Sequence, residues 1–114
     1  MTILKTTAAT FEQDVLEPAK QGPIVVAFTA SWCGPCKLLK PKLEQLADAW
    51  GFTLAIVDAG EDKALAAEHG VRAVPTVLTL ENGAVLGRFS GDRSQSELEK
   101  HFRSLGLAQT NLEF

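Results

Sequence analysis

Cysteine is scarce in this chain of 114 residues: there are two, Cys33 and Cys36, and histidine is equally rare, with only His69 and His101. That scarcity argues against a tetrahedral zinc site, which needs four ligands, because the two histidines are 101 − 69 = 32 residues apart, far from finger spacing. Haem attachment would need a histidine directly after the second cysteine, and Lys37 stands there. Long apolar runs are also missing, and none approaches the ~20 residues of a membrane span. No basic cluster exists: 11 Lys and Arg are mixed among 14 Asp and Glu, for a net charge of −3. Binding of nucleic acid by charge is therefore not expected. Met1–Lys5 carries neither a basic region nor a sustained apolar stretch. No signal peptide is expected, and a cytoplasmic, reducing location follows, where paired cysteines are catalytic rather than structural. Repeats, linkers and low-complexity tracts are absent. One domain over residues 1–107 and a loose, aperiodic tail over 108–114 are predicted. No apolar stripe is left over for a dimer, so a monomer is expected.

Against these absences stands a core-forming composition, 46% apolar, organised around one stretch. Trp32-Cys33-Gly34-Pro35-Cys36-Lys37 follows the most apolar run, Ile24–Phe28. It precedes a helical pattern in which Leu38, Leu39, Leu43, Leu46, Ala47 and Trp50 recur at spacings of three and four. A buried strand thus delivers the cysteines and a helix starts on them. The first turn of a helix offers unpaired N–H groups and the positive end of the macrodipole, and both favour a thiolate. A structural disulfide over so short a loop would gain little chain entropy. A redox dithiol is the reading that remains. Pro35 suits a first helical turn, and Gly34 lets a partner's backbone approach.

Elsewhere the patterns are local. Ile3-Leu4 reads as a short edge strand. Thr10 and Gln13 have capping-box spacing, predicting a helix through Leu16 with Phe11, Val15 and Leu16 inward, and Gln21-Gly22-Pro23 closes that region as a turn. The helix after the cysteines should run to about Trp50 despite Pro41, which packing must tolerate, and should end at Gly51. Strand Phe52–Asp58 should pair in parallel with Ile24–Phe28. Asp62–His69 reads as a short helix capped by Gly70. Asn82-Gly83 predicts a tight hairpin between Val77–Leu80 and Ala84–Phe89. Ser94 and Glu97 form a second capping box, before a stripe of Leu98, Phe102 and Leu105. Both histidines fall in these helices and read as surface or satisfied residues.

These residues, with Val74-Pro75-Thr76 ahead of the hairpin, resemble the thioredoxin family over residues 3–106. The resemblance implies an α/β fold with a central mixed sheet of four or five strands flanked by four helices, and a cis Val74–Pro75 bond beside the cysteines. It implies disulfide exchange, with exposed Cys33 as nucleophile and the deeper Cys36 as resolving thiol, supported by Trp32, Gly34, Pro35 and Pro75. Clients would bind along Trp32, Val74, Pro75, Thr76 and Gly91. The implied partners are disulfide-containing client proteins and a thioredoxin-reductase-type electron donor, with no cofactor and no metal. Simple packing for Trp32, an ordinary turn for Pro75 and a plain loop for Gly91 are the blander readings.

Two departures from the family pattern stand out. The buried aspartate that the family carries behind its second cysteine falls on Ala27, and its lysine partner falls on Ile56. Thr29 stands where an aromatic residue is common. Losing both members of a buried ion pair is coherent, since an apolar pair of matching shape is often neutral or stabilising. Slower deprotonation of Cys36 is expected. The competing activities are an oxidase or isomerase, and a partner subunit that uses the apolar patch around the cysteines without redox chemistry.

Overall fold

Ile24–Phe28 takes the centre of a five-stranded sheet. The computed structural model describes residues 3–107, so the expected loose tail lies outside the described residues. The strands are β1 (Ile3–Lys5), β2 (Ile24–Thr29), β3 (Thr53–Asp58), β4 (Thr76–Glu81) and β5 (Ala84–Ser90), in the order β1-β3-β2-β4-β5. β1 and β2 pair in parallel with β3, and β4 and β5 are antiparallel to their neighbours. Three α-helices follow the sequence reading: α1 (Gly34–Trp50), α2 (Lys63–Glu68) and α3 (Gln95–Ser104). Among the described residues no helix is long and apolar enough to cross a membrane.

Alternation along β2 divides the core in two. Ile24, Val26 and Phe28 face one side with Phe11, Val15, Leu65 and Val71. Val25 and Ala27 face the other, with Leu39, Leu43, Leu98 and Phe102 from α1 and α3. Val25, Val26, Ala27 and Phe28 are fully buried, as a strand covered on both faces must be. β5 is an edge strand and largely exposed.

Four details differ from expectation. The first helix is a π-helical turn over Glu12–Leu16 followed by a 3-10 turn over Pro18–Lys20. Thr10 does not cap it: its hydroxyl accepts from the Thr7 N–H at 3.1 Å and shares a hydrogen with Thr6 at 3.0 Å, closing the preceding turn instead. Leu16 points to solvent while Phe11 and Val15 are buried. In α1, Leu38 is 61% exposed, because Leu39 takes the inward position and neighbours on a helix diverge by about 100°.

Pro41 is exposed on α1 between buried Leu39 and Leu43. It donates no hydrogen bond to the carbonyl of Lys37 one turn back, and the helix nonetheless continues to Trp50. Gly51 ends α1 at φ 76°, the left-handed conformation expected of a C-terminal glycine. Asn82 and Gly83 both have positive φ, 48° and 83°, matching the tight hairpin turn. The Ser94–Glu97 capping box is complete.

His69 is satisfied, its Nδ1 lying 3.0 Å from the Leu65 carbonyl and its ring against Phe11. His101 packs edge-on to Phe89 and Phe102. Burial, and secondarily the charge of Arg93, lowers its pKa from the usual 6.5. A lowered folded-state pKa means that the unfolded chain takes up the proton first. This contribution to stability is thus present above pH 6.5 and lost as pH falls from there through the folded value. The urea midpoint of the native chain is expected to drop more between pH 7.5 and 5 than that of His101→Gln. Equal drops would remove His101 as the cause.

Candidate active site

β2 ends at Thr29 and the chain turns once before α1, with the Cys33 N–H donating to the Ala30 carbonyl at 3.2 Å. Cys33 has extended backbone and is the N-cap of α1, and its Sγ accepts the Cys36 N–H at 3.2 Å. One orphan donor of the helix start is thus aimed at this sulfur. Pro35, in the first turn, has no N–H to leave unpaired. Cys33 and Cys36 are joined as a disulfide, with their Cα atoms 5.3 Å apart.

The expectation of an exposed Cys33 above a deeper Cys36 is corrected. Both are 3% exposed, packed with Ala30 and covered by Val74. Trp32, by contrast, is 74% exposed. Its indole nitrogen lies close to Gly60, where an added Cβ would come within 3.6 Å of it and 3.1 Å of the Asp58 carboxylate. A large aromatic ring so open to water is not explained by packing.

The Val74–Pro75 bond is cis. Val74 packs on the small cluster of Ala30, Cys33 and Cys36, bringing this loop to the cysteines from more than 35 residues away in the chain (74 − 36 = 38). Gly91 reaches the same place: its N–H donates to the Pro75 carbonyl at 2.9 Å, and its φ is 85°. Thr76 is placed differently. It is 1% exposed, and its hydroxyl donates to the Ala73 carbonyl at 2.6 Å and accepts from the Ser90 hydroxyl at 2.9 Å. Its side chain is buried and fastens the loop to Ala73 and Ser90.

Lys42 and Asp92 were not singled out from sequence. From α1, the Lys42 ammonium donates to Asp92 Oδ1 at 3.0 Å and to the Arg93 carbonyl at 2.7 Å, tying α1 to the segment that carries Gly91. No local rule reveals a pair 50 residues apart (92 − 42). Lys42→Met is expected to lower stability by about 1–2 kcal/mol and to speed hydrogen exchange at the Gly91 amide. Unchanged exchange at Gly91 would show that the tie does not order this loop.

Ala27 and Ile56 pair directly in the sheet register, 0% and 6% exposed, within one apolar cluster. The two positions singled out from sequence are therefore neighbours. Asp58 is half-buried and spends its carboxylate on its own loop, accepting from Gly60 N at 2.9 Å and Glu61 N at 3.2 Å.

A mixed sheet with a Cys-x-x-Cys disulfide at a helix start, faced by a cis-proline loop, defines a domain of the dithiol–disulfide class. The thioredoxin family model matches residues 2–104, and the chain belongs to the thioredoxin family. It is 45% identical over 85 residues to the mitochondrial thioredoxin of Mus musculus, which covers 73% of this chain but only 51% of that protein. The chain thus spans about half the length of that relative. It is 36% identical over 98 residues to the thioredoxin of Pseudomonas aeruginosa, covering 84% of this chain and 89% of the relative. The N21Q mutant thioredoxin from Halobacterium salinarum NRC-1 shares the fold with a TM-score of 0.80 at 30% identity, covering 99% of this chain and 95% of that one.

Proposed function

We propose that this chain reduces disulfides in client proteins by dithiol–disulfide exchange. The supporting observation is the sulfur of Cys33, held as the N-cap acceptor of α1 and bonded to Cys36. Starting from the dithiol, the Cys33 thiolate attacks one client sulfur, a mixed disulfide forms, and the other client sulfur leaves as a thiolate. Cys36, as thiolate, then attacks Cys33 Sγ, and the client's second sulfur is released. The client gains two electrons and the Cys33–Cys36 disulfide re-forms. A thioredoxin-reductase-type donor would return the two electrons, acting on a cytoplasmic monomer.

Trp32, Val74, Pro75 and Gly91 make up the client surface in this reading, where an extended client segment can pair with the backbone of Val74. Thr76 supports that loop. Apolar Ala27 and Ile56 leave Cys36 without the acid–base partner that the family pattern supplies, so resolution of the mixed disulfide is the slow step at neutral pH. The test is the reduction potential of the Cys33–Cys36 couple. A value near about −270 mV supports the reductase, and one at about −120 to −180 mV would make it an oxidant or isomerase instead.

A further inference from the structure

Beside the cysteines an open cleft of about 410 Å³ runs from Trp32 to α2, with Ala66, Val71 and Val74 in its lining. Two cations, Lys63 and Arg72, also line it, and no acid does. This is a local inversion in a chain of net charge −3.

Of the nearest acids in the chain, Asp58 holds its carboxylate beside Gly60 at the Trp32 end of the cleft, bound to its own loop, and none lies beside Lys63 and Arg72 in the lining. Asp58, Glu61 and Asp62 border a separate hollow next to β1. Asp58 accepts from two backbone N–H groups of its own loop, and Asp62 Oδ2 accepts from Ala8 N at 3.4 Å. Lys63 and Arg72 are both exposed, and among the described residues neither takes part in a salt bridge. Chain geometry ties the cleft to the chemistry: Trp32 adjoins Cys33, and Val74 packs on the cysteine cluster. An apolar floor with two unneutralised cations at a reactive centre is complementary to an acidic chain segment with an apolar side chain.

Resting on the redox reading above, we infer that the cleft selects client segments with acidic residues beside the reactive cysteine. Lys63 and Arg72 attract the carboxylates, and Val71 and Ala66 receive the neighbouring apolar side chain. The test uses three peptides of one sequence, each closed by a single disulfide flanked by two Asp, two Ser or two Lys residues. At low ionic strength, kcat/KM is expected to be about tenfold higher for the Asp peptide than for the Lys peptide, with Ser between. High salt should compress the difference.

The Lys63→Gln/Arg72→Gln chain should lose the preference, and Lys63→Glu/Arg72→Glu should reverse it. Rates are normalised to reduction of hydroxyethyl disulfide by the same preparation. Equal rates for all three peptides, or a preference unmoved in both doubly substituted chains, overturns this inference and leaves the redox reading standing. Failure to reduce hydroxyethyl disulfide and every peptide overturns the redox reading, and this inference with it.

Discussion

Cys33→Ser is expected to reduce disulfide-reductase activity to the level of the uncatalysed thiol control, a loss of roughly a thousandfold or more. Cys36→Ser is expected to behave differently. The sulfur that caps α1 remains, so attack on a client disulfide should still occur once, and the mixed disulfide should accumulate. Non-reducing mass spectrometry of a stoichiometric reaction reads this as an adduct on Cys33, while multiple turnover is lost. The asymmetry follows from geometry: only Cys33 occupies the N-cap, where the Cys36 N–H is directed at its sulfur. A Cys33→Ser chain that kept its function would mean that the patch around Trp32 and Val74 acts as a binding surface without redox chemistry.

The second large effect concerns Ala27. Ala27→Asp alone places a carboxylate in a site that is 0% exposed and opposite Ile56. The expected cost is about 3 kcal/mol or more, seen as a lower urea midpoint. Adding Ile56→Lys should recover part of that loss, because the register puts the two side chains next to each other. The doubly substituted chain should also resolve its mixed disulfide faster at neutral pH. An acid–base partner for Cys36 is expected to give about tenfold or more in single-turnover measurements, with the pH profile displaced to lower pH. If the profile did not move, the apolar pair would have no part in the rate. The stability of the single and double variants would still report whether positions 27 and 56 behave as a pair.

Much of the site was legible because its signals are local. Trp32-Cys-Gly-Pro-Cys36 sits between an all-apolar run and a 3.6-residue pattern, so strand, cysteines and helix start follow from neighbouring residues alone. Asn82-Gly83 and the Ser94–Glu97 box are equally local, and both formed. Thr10 shows the limit of such rules. Its spacing to Gln13 satisfies the capping pattern, yet its hydroxyl found closer partners in Thr6 and Thr7. Leu38 shows another limit, since a helical stripe does not say which of two adjacent leucines turns inward. Thr76 is named for client binding only through the family resemblance, and no local pattern shows that its side chain is buried and bonded across the strands to Ser90.

Where the sulfurs lie and what holds them follows from neighbouring residues: a doubly buried strand, a proline-stiffened first turn and a helix that must begin there. Those follow from hydrogen-bond and burial requirements that act over a few residues. What surrounds the sulfurs came from long-range packing. The α/β crossover set Ala27 against Ile56, folding brought Val74 and Gly91 to the cysteines, and the packing of α2 and the loop after it put Lys63 and Arg72 on one cleft while Glu61 and Asp62 line another hollow. Contacts between segments tens of residues apart depend on how elements pack together, and no short-range pattern encodes that.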